Sequence, residues 1–537
     1  MNETSIHPNV RVGESSVNRR ISLLRYSPAL LLVIIVIADV VRYADPDLWG
    51  HLAFGQLFLR SGHIVARDPF SYSAPGHQWH DPEWLSEILM ALCYNAWGGV
   101  GLKLMKFACT GAIFVLLALA ISETGAGATI QCGVLIATAL GIGLELQIRP
   151  QLFTFISMAA LLAILSRDNY RRRAPLWLAI PVLLLWTNLH GGFLVGLMML
   201  AVYTGVSTVI DLIAGRGFSH GVKLAAVTAT ATLATLINPY GVGEWTTVGN
   251  SVLNPVTRNA IQEWRPLLTI MIAVWHSSHI GVVYYLLVLG IIAVFILTFV
   301  MKPLAGDLPL VAIAAIICAA AFLSVRHVPL AIIAMSLPIT RRLGLWFDDH
   351  RDATSNADLA SHDSTIRPAH RGPKWYNQLF LFALAFLLAL QTGLFSSRLP
   401  ETTAYPDGAL AFMRQHGLHG NLLDDFNWGD YLIFHTAPQS KVFIDGRYDF
   451  IYPNCVVDDF LAFSFNEPAA VHMLASYPHD FVLIPPDCRA YPLMTSRKDW
   501  TLLYRDQFSA LFARANSPAA HLPNIPVIAV ATPHDFP

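Results

Sequence analysis

The chain has 537 residues, 54% hydrophobic and only 13% charged, with a formal net charge of −1 at neutral pH and a mean hydropathy of +0.49. A soluble globular domain carries about 25% charged residues, so this composition excludes an ordinary soluble protein and points to a chain that crosses a membrane many times. The balanced charge offers no basic surface to a nucleic acid, and the six cysteines are scattered without metal-ligand spacing.

A membrane-spanning helix needs about 20 mostly apolar residues. Residues 1–22 are polar and read as an N-terminal tail. Apolar runs then fall at roughly 23–41, 101–121, 129–147, 150–166, 174–189, 192–213, 222–238, 280–301, 308–325, 328–343 and 376–396, about eleven spans. The first has no small-residue cleavage site and reads as a retained span. The stretch 84–98, "WLSEILMALCYNAWG", reads as an interfacial helix or a further short span. The expected class is therefore mainly α. A transmembrane bundle covers 23–343, with a large loop at 42–100 after its first span, and a last transmembrane helix covers 376–399.

Basic residues set the orientation. Arg11, Arg19, Arg20 and Arg25 lie ahead of the first span, "RDNYRRR" fills 167–173, and "GRGFSHGVK", Lys302 and the segment from Arg341 to Lys374 are also basic. With a cytoplasmic N-terminus and eleven spans, all of them fall inside, and the chain after Pro400 falls outside. Residues 344–375 are rich in Ser, Asp, His and Pro and read as a flexible cytoplasmic linker. Residues 400–537 change character: "KVFIDG" and "DFVLIPP" read as strands and "DGALAFMRQHG" as a helix, a small extracytoplasmic α/β domain. Cys93, Cys109, Cys132 and Cys318 read as packing residues, whereas Cys455 and Cys488 could pair in an oxidising compartment.

The outward loops and span ends collect the ionisable groups. They carry Asp45, Asp47, His51, Asp68, His80, Glu83 and Glu87, then Arg149, Asn188, His190, Glu263, Arg326 and His327. Such groups at membrane depth are costly and suggest function. Each also has a plain structural reading. Asp45-Pro46 fits a helix cap. Asp47 suits a first turn, although its i,i+4 spacing to His51 puts both on one helix face, which a cap does not require. Asp68-Pro69 fits a turn. His80, Glu83 and Glu87 have helical spacing and suit a solvated face or a weak metal site. Arg149 and Arg326 suit interfacial anchors or a bidentate grip on a lipid phosphate. Asn188 and His190 precede "GG", where a backbone can approach a ligand or simply turn. In the C-terminal part, Asp424, Asp425, Trp428, Asp430, Asp445 and Arg447 could bind an acceptor sugar, but "N-W-G-D" and "I-D-G-R" fit hairpin turns slightly better.

"DPDLWGHLAFGQLFLRSGHIVARDPFSYSAPGHQWHDPEWLSEIL", followed by "RPQLF", "WTNLHGGF", "NPYG" and "EWRP", resembles a bacterial family of polytopic membrane glycosyltransferases of the GT-C type. "FNWGDYLIF" and "KVFIDGRYDFIY" are similar to that family's extracytoplasmic tail. The resemblance implies a bacterial inner-membrane enzyme that moves a sugar from a polyprenyl-phosphate donor to a glycan, lipid or protein acceptor among membrane lipids. It implies a first-loop acid, Asp45 or Asp47, as general base or ligand of a divalent cation (Mg or Mn). Members commonly have an aromatic where Gly50 stands. Inverting transfer needs a carboxylate to deprotonate the acceptor and a cation beside the leaving phosphate. That makes Asp47 the base, Asp45 or His51 its orienting partner and Arg149 and Arg326 the phosphate ligands. Asp68, His80, Glu83, Asn188, His190 and Glu263 would bind acceptor or support the site. A transporter would instead carry mid-membrane charges and repeated halves, and a scaffold would scatter these residues over the rim.

Overall fold

A computed structural model describes residues 30–37, 39, 43–255, 261–275, 277–303, 305–359, 375–391, 399–401, 403–522 and 535–536. Its helices are α1 Leu48–Ser61, α2 Trp84–Ser122, α3 Ala128–Ile142, α4 Gln151–Arg171, α5 Ala179–Leu189, α6 Phe193–Ile213, α7 Ser219–Ala234, α8 Val242–Leu253, α9 Leu267–Trp275, α10 His279–Met301, α11 Leu308–Leu323, α12 Val328–Leu359 and α13 Trp375–Gln391. Trp84–Ser122, Ala128–Glu145, Gln151–Arg171, Phe193–Ile213, His279–Met301 and Val325–His350 are long and apolar enough to cross a membrane.

Other expected spans are shorter. Apolar helices cover Leu176–Leu189 and Leu308–Leu323, and α7 has 16 residues. Turn sequences cut them off: "LHGG" after α5 and "NPYG" after α7. The first and last expected spans lie partly outside the described residues. Residues 84–98 are no separate element; they form the first limb of α2. The helix bends at Trp97 and at Gly98, whose φ of 57° and ψ of −144° suit only glycine. The linker expected from 344 also begins as helix, because α12 continues to Leu359 and no proline interrupts it after Pro338. Residues 360–374 lie outside the described residues. The bundle core is built around α4, where Leu152, Met158 and Leu165 are fully buried beside Ile113, Trp186 and Ile313.

The C-terminal part adds helices α14 Asp407–Gln415, α15 Gly429–Thr436 and α16 Asn454–Ser464 and strands β1 Leu399–Pro400, β2 Asn421–Asp424, β3 Lys441–Val442, β4 Phe481–Ile484, β5 Trp500–Arg505 and β6 Ala510–Arg514. Five strands form a sheet in the order β3-β2-β4-β6-β5. β3, β2 and β4 run parallel, and β6 is antiparallel to both neighbours. Parallel neighbours cannot be joined by a hairpin. "N-W-G-D" is accordingly no hairpin turn; a 3₁₀ turn at Phe426–Trp428 leads into α15, which crosses from β2 to β3. Cys455 and Cys488 are both free thiols.

The loop after the first span and the C-terminal part form one body. Val442 N–H donates to Phe70 O at 3.1 Å, and Tyr72 N–H donates to Val442 O at 3.2 Å, which adds the loop to the sheet edge at β3. Trp49, Phe54 and Trp79 share one core with Phe443, Val482 and Leu511. Arg447 locks the joint. It pairs with Asp68 at 2.8 Å and Asp445 at 2.6 Å, and its guanidinium lies over Phe54, Phe70 and Trp79 at 4.8, 5.4 and 4.8 Å.

A candidate active site around Arg149

Arg149 precedes α4, where the "RP" turn starts the helix. Its guanidinium gathers three carboxylates: Asp45 at 2.6 Å and Asp47 at 2.9 Å through Nη2, and Glu263 at 2.8 Å through Nη1. Asp45 also accepts from Asp47 N–H at 3.1 Å, in a turn ahead of α1; the N-cap position is Asp47, not the expected Asp45. Asp47 remains accessible, its side chain 40% exposed against 11% for Asp45.

Arg326 enters from the turn before α12. Its guanidinium lies 5.1 Å from the centre of the Trp264 ring. Among the described residues it forms no ion pair. It is near enough to Asp47 and Glu263 to favour their charged forms.

Burial raises the Asp45 and Asp47 carboxyls above the usual range, with Arg149 opposing it in both. Burial also works against an ionised Glu263, but Arg149 and Arg326 hold its carboxyl below the usual range. The Asp45–Asp47 pair does not fit a divalent cation: a resident guanidinium already holds both carboxylates.

Several expected partners lie elsewhere. His51 shares the helix with Asp47, but its Nδ1 faces Glu87 at 2.9 Å and Glu83 at 3.7 Å, so the expected Asp47–His51 pairing gives way to a second cluster. Glu83 also meets His190 Nε2 at 3.3 Å. Burial lowers His51 to about 3, helped by Arg149, and raises Glu83 to about 8. Asp68 braces Arg447 at the joint. Asn188 Nδ2 donates to Leu184 O and Ile237 O, tying α5 to the end of α7. His80 contacts Thr247 at 3.0 Å and stacks on Tyr240, beside a cleft of about 270 Å³ lined in part by Gln78, Asn250 and Phe450.

The C-terminal residues separate by role. Asp424 accepts from Phe443 N–H, Asp445 binds Arg447, and Trp428 Nε1 donates to Ala404 O, so all three hold the fold. Asp430 is different. A Cβ on Gly50 or on Gly446 would overlap its carboxylate, and one on Gly446 would also approach Asp47. Asp430 thus fills the space that a side chain at position 50 would need. Burial, Asp445 and Asp47 push the Asp430 carboxyl well up. Asp81 and Glu244, both buried, were missed by sequence reasoning. Asp81 accepts from Glu83 N–H at 2.8 Å. Glu244 lies on α8, outside every apolar run.

No protein-family model matches the sequence, and no curated protein matches it. Solved structures do. Archaeal oligosaccharyltransferase AglB from Archaeoglobus fulgidus, in complex with an inhibitory peptide and a dolichol-phosphate, aligns with 93% of this chain and 75% of its own at TM-score 0.55 and 12% identity. The apo form of the Archaeoglobus fulgidus oligosaccharyltransferase covers 92% and 75% at TM-score 0.52 and 11% identity. The chain has a GT-C glycosyltransferase-like fold. ArnT from Cupriavidus metallidurans bound to undecaprenyl phosphate covers 92% of this chain and 98% of its own, at TM-score 0.48 and 12% identity. Among the described residues, six helices of this chain are long and apolar enough to cross a membrane, and the charged cluster lies where the first loop, the bundle and the C-terminal part meet.

Proposed function

We propose that the protein is an inverting glycosyltransferase that moves a sugar from a polyprenyl-phosphate donor to an acceptor hydroxyl at the extracytoplasmic face of the membrane. Asp47 is the base: it takes the acceptor proton while the new C–O bond forms and the anomeric bond to phosphate breaks, the electron pair leaving with the phosphate. The observation that carries the reading is the convergence of Asp45, Asp47 and Glu263 on Arg149, with Arg326 beside them and, among the described residues, in no ion pair.

Arg149 serves chiefly as the clamp that fixes Asp47, because both of its terminal nitrogens are taken by carboxylates. Arg326 is the cation that meets the donor phosphate, and its stacking on Trp264 holds it in place. Glu263 braces Arg149. A transporter is disfavoured, since the charged groups around Arg149, Glu83 and Arg447 gather at one junction rather than along a path through the bundle.

The test compares wild type with Asp47→Asn and Arg326→Met on a panel of polyprenyl-phosphate sugars. Asp47→Asn should abolish turnover with the fold intact, and Arg326→Met should raise KM for the lipid donor. Full activity in Asp47→Asn would overturn the assignment.

A further inference from the structure

The acids of this protein are balanced in an uneven way. Asp45, Asp47 and Glu263 share Arg149, and Asp68 and Asp445 share Arg447. Asp81, Glu83, Glu87 and Glu244 form a third group at the start of α2. Asp81, Glu87 and Glu244 are 5%, 2% and 1% exposed. Among the described residues, none of the four pairs with a lysine or an arginine. Buried charges are normally paired or bound to a metal.

Two features of this group suit a cation. His51 Nδ1 lies 2.9 Å from Glu87 Oε1 and 3.7 Å from Glu83 Oε2, and one ligand atom from each of the three residues fits within 4.8 Å. Ligands at about 2.0 Å from a tetrahedral ion are about 3.3 Å apart, which the two measured separations bracket. In addition, Glu244 Oε1 is a buried side-chain oxygen without a hydrogen-bond partner among the described residues, and the buried carboxyl groups of Asp81 and Glu87 meet each other.

The surroundings would hold the ligands in place. Gly192 N–H donates to His190 Nδ1 at 2.8 Å, so the proton sits on His190 Nε2, which lies 3.3 Å from Glu83 Oε1. That leaves Glu83 Oε2 turned to His51. Such outer hydrogen bonds orient metal ligands.

We propose that His51, Glu83 and Glu87 bind one divalent transition-metal ion of the zinc class, separate from the Arg149 cluster. One imidazole with two carboxylates suits zinc or manganese better than magnesium, and the fourth position is left for water. The ion would neutralise the acid group and pin α1 to the start of α2. The site goes beyond the transfer reaction and does not depend on it.

Purified full-length protein in nanodiscs would be stripped with EDTA, dialysed against Zn²⁺ and then against metal-free buffer, and its zinc measured by mass spectrometry. One zinc per chain is expected for wild type and for Asp47→Asn. At least a tenfold loss of affinity is expected for His51→Asn and for Glu87→Gln, each monodisperse by size exclusion. Mn²⁺ loaded in place of zinc should show coupling to one imidazole nitrogen by pulsed electron paramagnetic resonance, a signal that does not require an active enzyme. Equal zinc in wild type and both ligand variants, or manganese without nitrogen coupling, would overturn the site. Loss of metal with transfer activity retained would leave the transferase reading standing, so the two ideas fail separately.

Discussion

Replacing Arg149 tests the clamp directly. Its guanidinium is the cation that most opposes the burial that raises Asp47, and it bonds Asp45 and Glu263 as well. An opposite charge at this range favours the ionised form of a carboxylate. Arg149→Lys keeps the charge but cannot hold three carboxylates with a planar fork, so Asp47 keeps less of that support. The acid limb of kcat/KM, set by a carboxyl that burial already raises, should therefore move to higher pH in Arg149→Lys. Arg149→Met leaves Asp45, 11% exposed, without its partner, at a cost of about 3–5 kcal/mol. The assay is the pH profile of transfer for the lysine variant and denaturant unfolding for the methionine variant. An unmoved acid limb together with wild-type stability in Arg149→Met would refute the clamp.

Gly50→Ala should cost about 1–3 kcal/mol by crowding Asp430, with stability recovered in the double variant Gly50→Ala, Asp430→Ala, as read by thermal unfolding. Arg447→Met should cost about 3–5 kcal/mol and expose the loop carrying Asp68 to limited proteolysis, because the buried cation that joins it to the sheet is gone. With divalent ions chelated, stability should depend on pH through Glu83, raised from 4.5 to about 8. The folded protein then holds a proton that the unfolded chain loses. The contribution is full below about 4.5 and fades as pH rises through about 8. Glu83→Gln should flatten that slope in thermal scans.

The residues of the site were legible one at a time and their partners were not. Asp45, Asp47, Arg149, Glu263 and Arg326 stood out because few ionisable groups flank apolar runs. Arg149 lies 104 residues from Asp45 and 114 from Glu263, and no local periodicity carries such a pairing. The i,i+4 rule placed His51 on the face of Asp47, but a side chain follows the partner that packing brings, here Glu87 from α2. The C-terminal motifs looked like turns because Gly and Asp serve both turns and close approaches; only the fold shows Asp430 seated between Gly50 and Gly446. The expected run at 222–238 continued past Ala234, where α7 ends ahead of "NPYG".

The central claim is lipid-linked glycosyl transfer with Asp47 as base. The most direct measurement incubates purified protein in nanodiscs with radiolabelled polyprenyl-phosphate sugars and a mixed acceptor extract, and follows label leaving the lipid fraction. The account predicts transfer from at least one donor by wild type and none by Asp47→Asn, with both proteins binding that donor. Transfer by Asp47→Asn at the wild-type rate would contradict it.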